Sequence, residues 1–438
     1  MDGNDTCRVP TKWPLRTPFA TVAASPGLRL FPYIRLMDAF QRFGSLMTGA
    51  TPVLDDDAWN DLFSELRASG PVGRADDLDA WVMTTYEACS EALLSADLSP
   101  DQSFWRHYEA PEPDPVLDPM RETNLFAAGP DDHHRLRSLA LRAFTPSKVR
   151  GYESIIAEVV ADTLDRVDLA GFDAATEVAD VIPSAVIRSL LDVPEQLMPP
   201  FCAYAEAIIG EIGPGFDTEL PEHLSALRAG IGALEELITD RRENRGHDLL
   251  SALICAEEDN HQLSDTQLLG LTGAIVVGGT ETTRSTIGLG LLRLLQHPEQ
   301  LEVLRDRPEL WPSAVAEIAR FDWVGPALPR YVSSPTTVAG KTLAVGDLVL
   351  LCIPGANRDP AVFAEPDRFD IERTVERTLA FGFGAHYCLG AHLAALEIST
   401  ALRMLVELPD LTLTGVARFR ADAGPRRLAT LPVRATGS

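Results

Sequence analysis

Cysteine is scarce in this chain. Six occur in 438 residues (Cys7, Cys89, Cys202, Cys255, Cys352 and Cys388), and no two are close enough to form a Cys-x-x-Cys pair. That dispersion excludes a small disulfide framework and leaves each, by default, a free thiol in a reducing compartment. Long hydrophobic runs are also missing. The most apolar stretch, Leu268–Gly279, covers about 12 residues, short of the ~20 that a spanning helix needs. The opening Met1-Asp2-Gly3-Asn4-Asp5 has no basic region leading into an apolar segment, which predicts no signal peptide, no membrane anchor and a cytoplasmic protein. Positive charge is under-represented, with 38 Lys and Arg against 64 Asp and Glu and a net charge of −26. So acidic a surface argues against nucleic acid or an anionic membrane as partner. There is no internal repeat, no long low-complexity linker and no Gly-x-Gly-x-x-Gly dinucleotide fingerprint.

What is present has the balance of a globular protein: 45% hydrophobic and 23% charged residues. Residues 1–60 mix proline, glycine and short apolar stretches and read as a loosely structured lead-in to one integrated domain spanning 1–438. The proline- and acid-rich segment from Trp105 to Met120 reads as a loop. Helical periodicity then dominates over 131–143, 152–168, 176–191, 199–212, 221–245 and 264–297. Strand candidates come late, at Thr337–Val338 and Leu343–Leu351, beside turn glycines Gly340 and Gly346. The expected fold is mainly α with a minor β portion. The longest helix is bounded by a capping box, Ser264-Asp265-Thr266-Gln267, and by His297-Pro298. Its first half is apolar on nearly every side, which predicts burial through the centre of the protein and a wall for an internal cavity.

One cysteine has an unusual neighbourhood. Residues 381–390 read Phe-Gly-Phe-Gly-Ala-His-Tyr-Cys-Leu-Gly, and a helix-forming stretch from Ala391 comes at once after them. The two early glycines allow a tight turn and close approach to a flat ligand. Cys388 then sits at a helix mouth, where free backbone N–H groups from Leu389 and Gly390 favour a thiolate. A zinc site would need further Cys or His ligands at short spacing, and none is present. The pattern Phe-Gly-x-Gly-x-His-x-Cys-x-Gly resembles the haem-binding signature of the bacterial cytochromes P-450. That resemblance implies haem b (iron protoporphyrin IX) with Cys388 as the axial iron ligand, Phe381 packed near the sulfur and His386 on a propionate. The haem would lie between the long oxygen-binding helix and the helix after the cysteine loop. Ala395 departs from the family pattern, where many relatives have arginine.

Within the long helix comes Val276-Val277-Gly278-Gly279-Thr280-Glu281-Thr282-Thr283. Two glycines weaken a helix by about 1 kcal/mol each, and a charge in a buried helix is costly, so both together point to function. Thr282 is placed to bond back to the Gly278 carbonyl and open the helix locally. The segment is similar to the oxygen-binding helix of the same family. By that likeness Thr282 would hold the oxygen ligand and ordered water, while Glu281 would relay protons from solvent. Gly278 stands where alanine is commoner in relatives, which would widen the groove over the haem.

Three further motifs match in the expected order. Glu317-Ile318-Ala319-Arg320 places opposite charges three apart on a helix. The resemblance implies a buried network of Glu317 and Arg320 completed by Arg368 of Pro366-Asp367-Arg368-Phe369. His133 and Arg137, four apart on one helical face, and Arg330 would bind the haem propionates with His386, neutralising carboxylates that are expensive to bury unpaired. The pocket walls are expected at Ile275, Val276, Gly279 and Thr280, with Gly325, Pro326, Ala327 and Leu328 opposite.

The expected activity is O2- and electron-dependent monooxygenation of a small-to-medium organic substrate, in natural-product biosynthesis. Oxidative coupling, cyclisation or desaturation without oxygen insertion stays open, as does a noncatalytic haem-thiolate sensor, because one fold hosts many outcomes. The retained Glu281–Thr282 pair speaks against the sensor. With no dinucleotide fingerprint, electrons are expected from a ferredoxin and its NAD(P)H-dependent reductase. The docking face is expected at Arg137, Arg142, Lys148 and Arg150.

Overall fold

The computed structural model describes residues 37–48, 55–123, 125, 128–210, 221–258, 261–374, 378–420 and 425–436. The longest helix is Asp265–Gln296, 32 residues and about 50 Å long. At its start the Ser264 hydroxyl accepts from the Gln267 amide at 3.2 Å, and the Gln267 side chain accepts from the Ser264 amide at 3.1 Å. This is the reciprocal cap that the sequence predicts. Pro298 forces the exit at His297. Nearly every side chain from Leu268 to Leu294 is buried. Around the rod pack the helices Ile182–Leu191, Met198–Gly210, Pro221–Glu243, Trp311–Phe321 and Ala391–Val406. Glycine lets two of these neighbours approach. A Cβ at Gly273 would collide with the Tyr204 hydroxyl, and one at Gly279 would meet Ile187 Cδ1 at 2.5 Å.

The β portion is a five-stranded sheet whose strand order does not follow the chain. Val72–Ala75 pairs antiparallel with Ala80–Met83, which pairs in parallel with Leu348–Leu351. Leu328–Val332 lies antiparallel on the far side of that strand, and Leu98–Ser99 forms the edge. Alternation along the central strand explains the sheet's two faces. Leu348 and Leu350 join a core with Phe43, Trp59 and Phe63, whereas Val349 and Leu351 join another with Cys89, Val332 and Leu379. Phe43 belongs to a helix, Ala39–Met47, and Trp59 and Phe63 to another, Asp56–Ala68. The lead-in expected over residues 1–60 is therefore helical wherever it is described.

Three helix ends and a C-terminal loop are tied by a quartet of charges, three of them buried and Asp56 partly exposed. Arg293 on the long helix contacts Asp322 at 2.5 Å and Asp56 at 2.7 Å, and Arg426 contacts Asp322 at 3.0 Å and also Asp56. Burial alone would raise the Asp322 carboxyl, but the arginines, Arg293 foremost, hold it at about 2.

Candidate active site

Gly382 and Gly384 adopt φ of +72° and +70°, values that L side chains rarely take. These turns bring the Cys388 amide back to the Phe381 carbonyl at 2.7 Å and close a one-turn 3-10 helix, Gly384–His386, through Tyr387 N–H to Gly384 O at 3.1 Å. Cys388 is reached by solvent, yet protein encloses it on nearly every side. A residue with both properties lines an internal cavity. Burial pushes its thiol up; the Gly390 amide, which donates to the sulfur, and Arg137 oppose that. Gly390 has open space where a Cβ would stand.

The long helix is open to solvent in one place only between Leu268 and Leu294: Gly278 and Thr282, one turn apart, are exposed inside a buried rod. The Thr282 hydroxyl donates to the Gly278 carbonyl at 2.8 Å, as the sequence predicts, and Gly278 again borders empty space. Of the pocket walls expected from this helix, Val276 and Thr280 lie away from that open face. Gly279 abuts Ile187, Val276 is in the core, and Thr280 is buried with its hydroxyl bonded to the Val276 carbonyl at 2.7 Å. Ile275 is also in the core cluster. At 100° per residue Val276 and Thr280 turn away from the face that Gly278 and Thr282 share, Gly279 flanks it, and Ile275, three residues before Gly278, lies on it. Ala327 and Leu328 are half-buried at the start of a sheet strand.

Glu281 is buried beside the Gly278–Thr282 face, about a quarter-turn round the helix from Thr282. It pairs with Arg284, one turn on, and lies 3.6 Å from Arg427. Both arginines also reach Asp180, at 3.9 and 4.0 Å. None of these three partners is expected from the sequence motifs, although the spacing of Glu281 and Arg284 carries the signal for one of them.

The candidate propionate groups come together. The His133 and His386 rings stack with centroids 4.0 Å apart, and Arg137 donates to the Tyr387 carbonyl next to Cys388. Arg330 is buried and donates only to its neighbour's carbonyl, Pro329 O, at 2.8 Å; burial lowers its pKa to about 10. Burial, then His133, Arg330 and Arg137, push His386 down to about 4. No carboxylate among the described residues pairs with any of the four. Two arginines without a counterion, one buried and one half-buried, beside two imidazoles fit an anionic ligand, and the two propionates of haem would supply that charge. The thiol, the exposed Gly278–Thr282 face and this cluster make a donor set that suits haem.

Glu317 and Arg320 are fully buried and joined by two contacts of 2.6 and 2.8 Å. Arg368 does not complete their network. Its side chain is 60% exposed and pairs with Glu365 at 3.3 Å and Asp370 at 2.5 Å. Arg373, five residues on, reaches Glu317 at 3.3 Å and donates to the carbonyls of Ala364, Glu365 and Arg368. The main chain of Arg368, not its guanidinium, is what the network uses. Arg320 also donates to Asn357 O at 2.9 Å, and the Asn357 side chain accepts from the Leu379 amide at 2.8 Å. The Trp323 indole donates to Ala380 O at 3.0 Å. Sequence reading missed Arg373, Asn357 and Trp323, which together carry the network to the cysteine loop.

The family model described as Cytochrome P-450 matches residues 222–418. The chain is 34% identical over 412 residues to cytochrome P-450 107B1 of Saccharopolyspora erythraea, covering 89% of this chain and 99% of that protein. It is 33% identical to the cytochrome P-450 monooxygenase PikC of Streptomyces venezuelae, over 88% and 95% of the two chains. Among solved structures, epothilone D-bound cytochrome P-450epoK superposes with a TM-score of 0.81 at 29% identity, covering 88% of this chain and all of the other. No described helix is long and apolar enough to cross a membrane. The chain belongs to the cytochrome P-450 family of haem-thiolate monooxygenases, oxidoreductases whose iron is ligated by a cysteine.

Proposed function

We propose that Cys388 is the iron ligand, that His133, Arg137, Arg330 and His386 hold the propionates, and that the enzyme hydroxylates or epoxidises a small-to-medium organic molecule in natural-product biosynthesis. The observation that carries this reading is the pair of arginines, Arg137 and Arg330, without a carboxylate partner among the described residues, beside His133, His386 and an exposed cysteine at a helix mouth. Relatives named as an epothilone C/D epoxidase and a mycinamicin IV hydroxylase/epoxidase support the substrate class.

When bound, the thiolate-ligated haem activates O2, the thiolate's electron push favouring O–O cleavage. One oxygen atom enters the substrate and the other leaves as water, so the protein must supply two protons and admit two electrons. Thr282, its own hydrogen committed to Gly278 O, presents hydroxyl lone pairs that accept from an ordered water. Glu281 donates protons from the adjoining side of the helix as a general acid. Phe381 and Gly390 shape the turn around the sulfur. Glu317, Arg320 and Arg373 hold that turn in place.

The electrons come from a ferredoxin and its NAD(P)H-dependent reductase. The exposed Arg142, Lys148 and Arg150, none with an ion-pair partner among the described residues, support a docking face for an acidic protein. Charge reversal at Arg142 is expected to slow reduction and flatten its salt dependence, as stopped-flow reduction would show.

The test of the ligand is Cys388→Ala, which is expected to abolish the red-shifted carbon monoxide band of thiolate-ligated haem. Persistence of that band would rule the assignment out. Screening natural-product libraries for the haem spin-state shift identifies the substrate.

A further inference from the structure

Glu281 does not reach bulk solvent: its side chain is 5% exposed and enclosed by Arg284 and Arg427. A second carboxylate shares those partners. Asp180 lies 3.9 Å from Arg284 and 4.0 Å from Arg427, and the same nitrogen of Arg427, Nη1, faces both carboxylates. The two carboxylates therefore lie within about 7.6 Å of each other, a gap that one or two waters span. Asp180 is 28% exposed. It comes directly after a π-helical turn, Ala175–Ala179, in which the Ala179 and Asp180 amides donate five residues back, to Ala174 and Ala175, at 2.9 Å. Such a turn carries one residue more than the α-helical spacing and rotates the next residues around the helix axis. The buried positions of the turn are Ala175, Val178 and Ala179, and Asp180 comes next, at the edge of the core.

We infer that Asp180 is the entry point of the proton path to Glu281, taking protons from bulk solvent while Arg284 and Arg427 hold the two carboxylates in register. This rests on the roles of Glu281 and Thr282 proposed above. In the transfer the O–H bond of the Asp180 carboxyl breaks, a bridging water passes the proton on, and an O–H bond forms on the Glu281 carboxylate. Asp180 is then reprotonated from solvent, and no electron moves. The charged groups facing Asp180 are Arg284, Arg427, Arg420 and Asp173. Burial outweighs the arginines and pushes the Asp180 carboxyl up, which increases its protonated fraction near neutral pH.

The test is Asp180→Asn in the haem-loaded protein, supplied with NADPH, a [2Fe–2S] ferredoxin and its reductase. Oxygen consumption is followed in H2O and D2O across pH. The expected results are a fall of at least about tenfold, a larger solvent isotope effect, an altered pH profile and recovery in Asp180→Glu. A readout independent of turnover is an infrared pH titration, in which the variant should lose one protonated-carboxyl band. If Asp180→Asn fails to retain haem, Asp180→Ser is read the same way. Unchanged rate, isotope effect and pH profile beside an intact carbon monoxide band would overturn the inference. Glu281→Gln separates the two levels. If it slows turnover and Asp180→Asn does not, only the entry role falls; if neither slows it, the role of Glu281 falls with it.

Discussion

Arg368 and Arg373 are the same residue type five positions apart, and only one of them is enclosed. Arg373 is 11% exposed and its guanidinium is spent on Glu317 and three carbonyls, whereas Arg368 makes pairs at the surface. Removing one partner of a buried charge network leaves the other charge unpaired, which costs about 3–5 kcal/mol; an exposed pair contributes about 0–1. Arg373→Ala is therefore expected to lower the midpoint of denaturant unfolding strongly and Arg368→Ala hardly at all. Equal effects would return the role to Arg368. A motif places a residue type at a spacing but does not say which main-chain turn it will meet. The cysteine loop was legible because its geometry is local, set by glycines and by a helix mouth a few residues apart. The arginine that supports it was not, because its partners combine a distant helix residue, Glu317, with main-chain carbonyls of the turn 364–368.

The long helix was readable end to end, since cap, apolar surface and proline exit all lie within its own sequence. The open face at Gly278 and Thr282 was expected from the family likeness; what packs on the other faces was not legible, because this depends on neighbours such as Ile187. The two adjacent glycines separate the two kinds of information. At Gly278 an added methyl meets nothing within 4 Å, and at Gly279 it meets Ile187 Cδ1 at 2.5 Å. Gly278→Ala is expected to stabilise by up to about 1 kcal/mol through helix propensity, while narrowing the cavity and weakening large ligands in a spin-state titration. Gly279→Ala is expected to cost about 1–3 kcal/mol through overpacking. If their stabilities shift in the same direction, the assignment of faces is wrong. The N-terminal helix Ala39–Met47 was missed despite a local sign, the reciprocal Asp38–Gln41 cap. Strands Val72–Ala75 and Ala80–Met83 gave no comparable sign. Each has only four residues, and the second takes its parallel partner from the far end of the chain.

For the molecule as a whole, acid is the informative stress. Asp322, ordinarily near 3.8, is held at about 2 in the folded chain. A carboxyl depressed on folding contributes stability above its unfolded pKa and loses it as pH falls through the folded one. Here that is about 2 kcal/mol at neutral pH, lost between about pH 4 and pH 2. In Asp322→Asn the unfolding free energy should be lower at pH 7 and flatter over that interval, as denaturant titrations at several pH values would reveal. Parallel pairing of Ala80–Met83 with Leu348–Leu351 has a different consequence, one of timing. On the ribosome Val72–Ala75 and Ala80–Met83 have each other, but the other edge of Ala80–Met83 has no partner until residue 351 emerges. At about 5–20 residues per second that wait is roughly 15–50 s. Through that interval the open edge of Ala80–Met83 is a template on which another chain could pair.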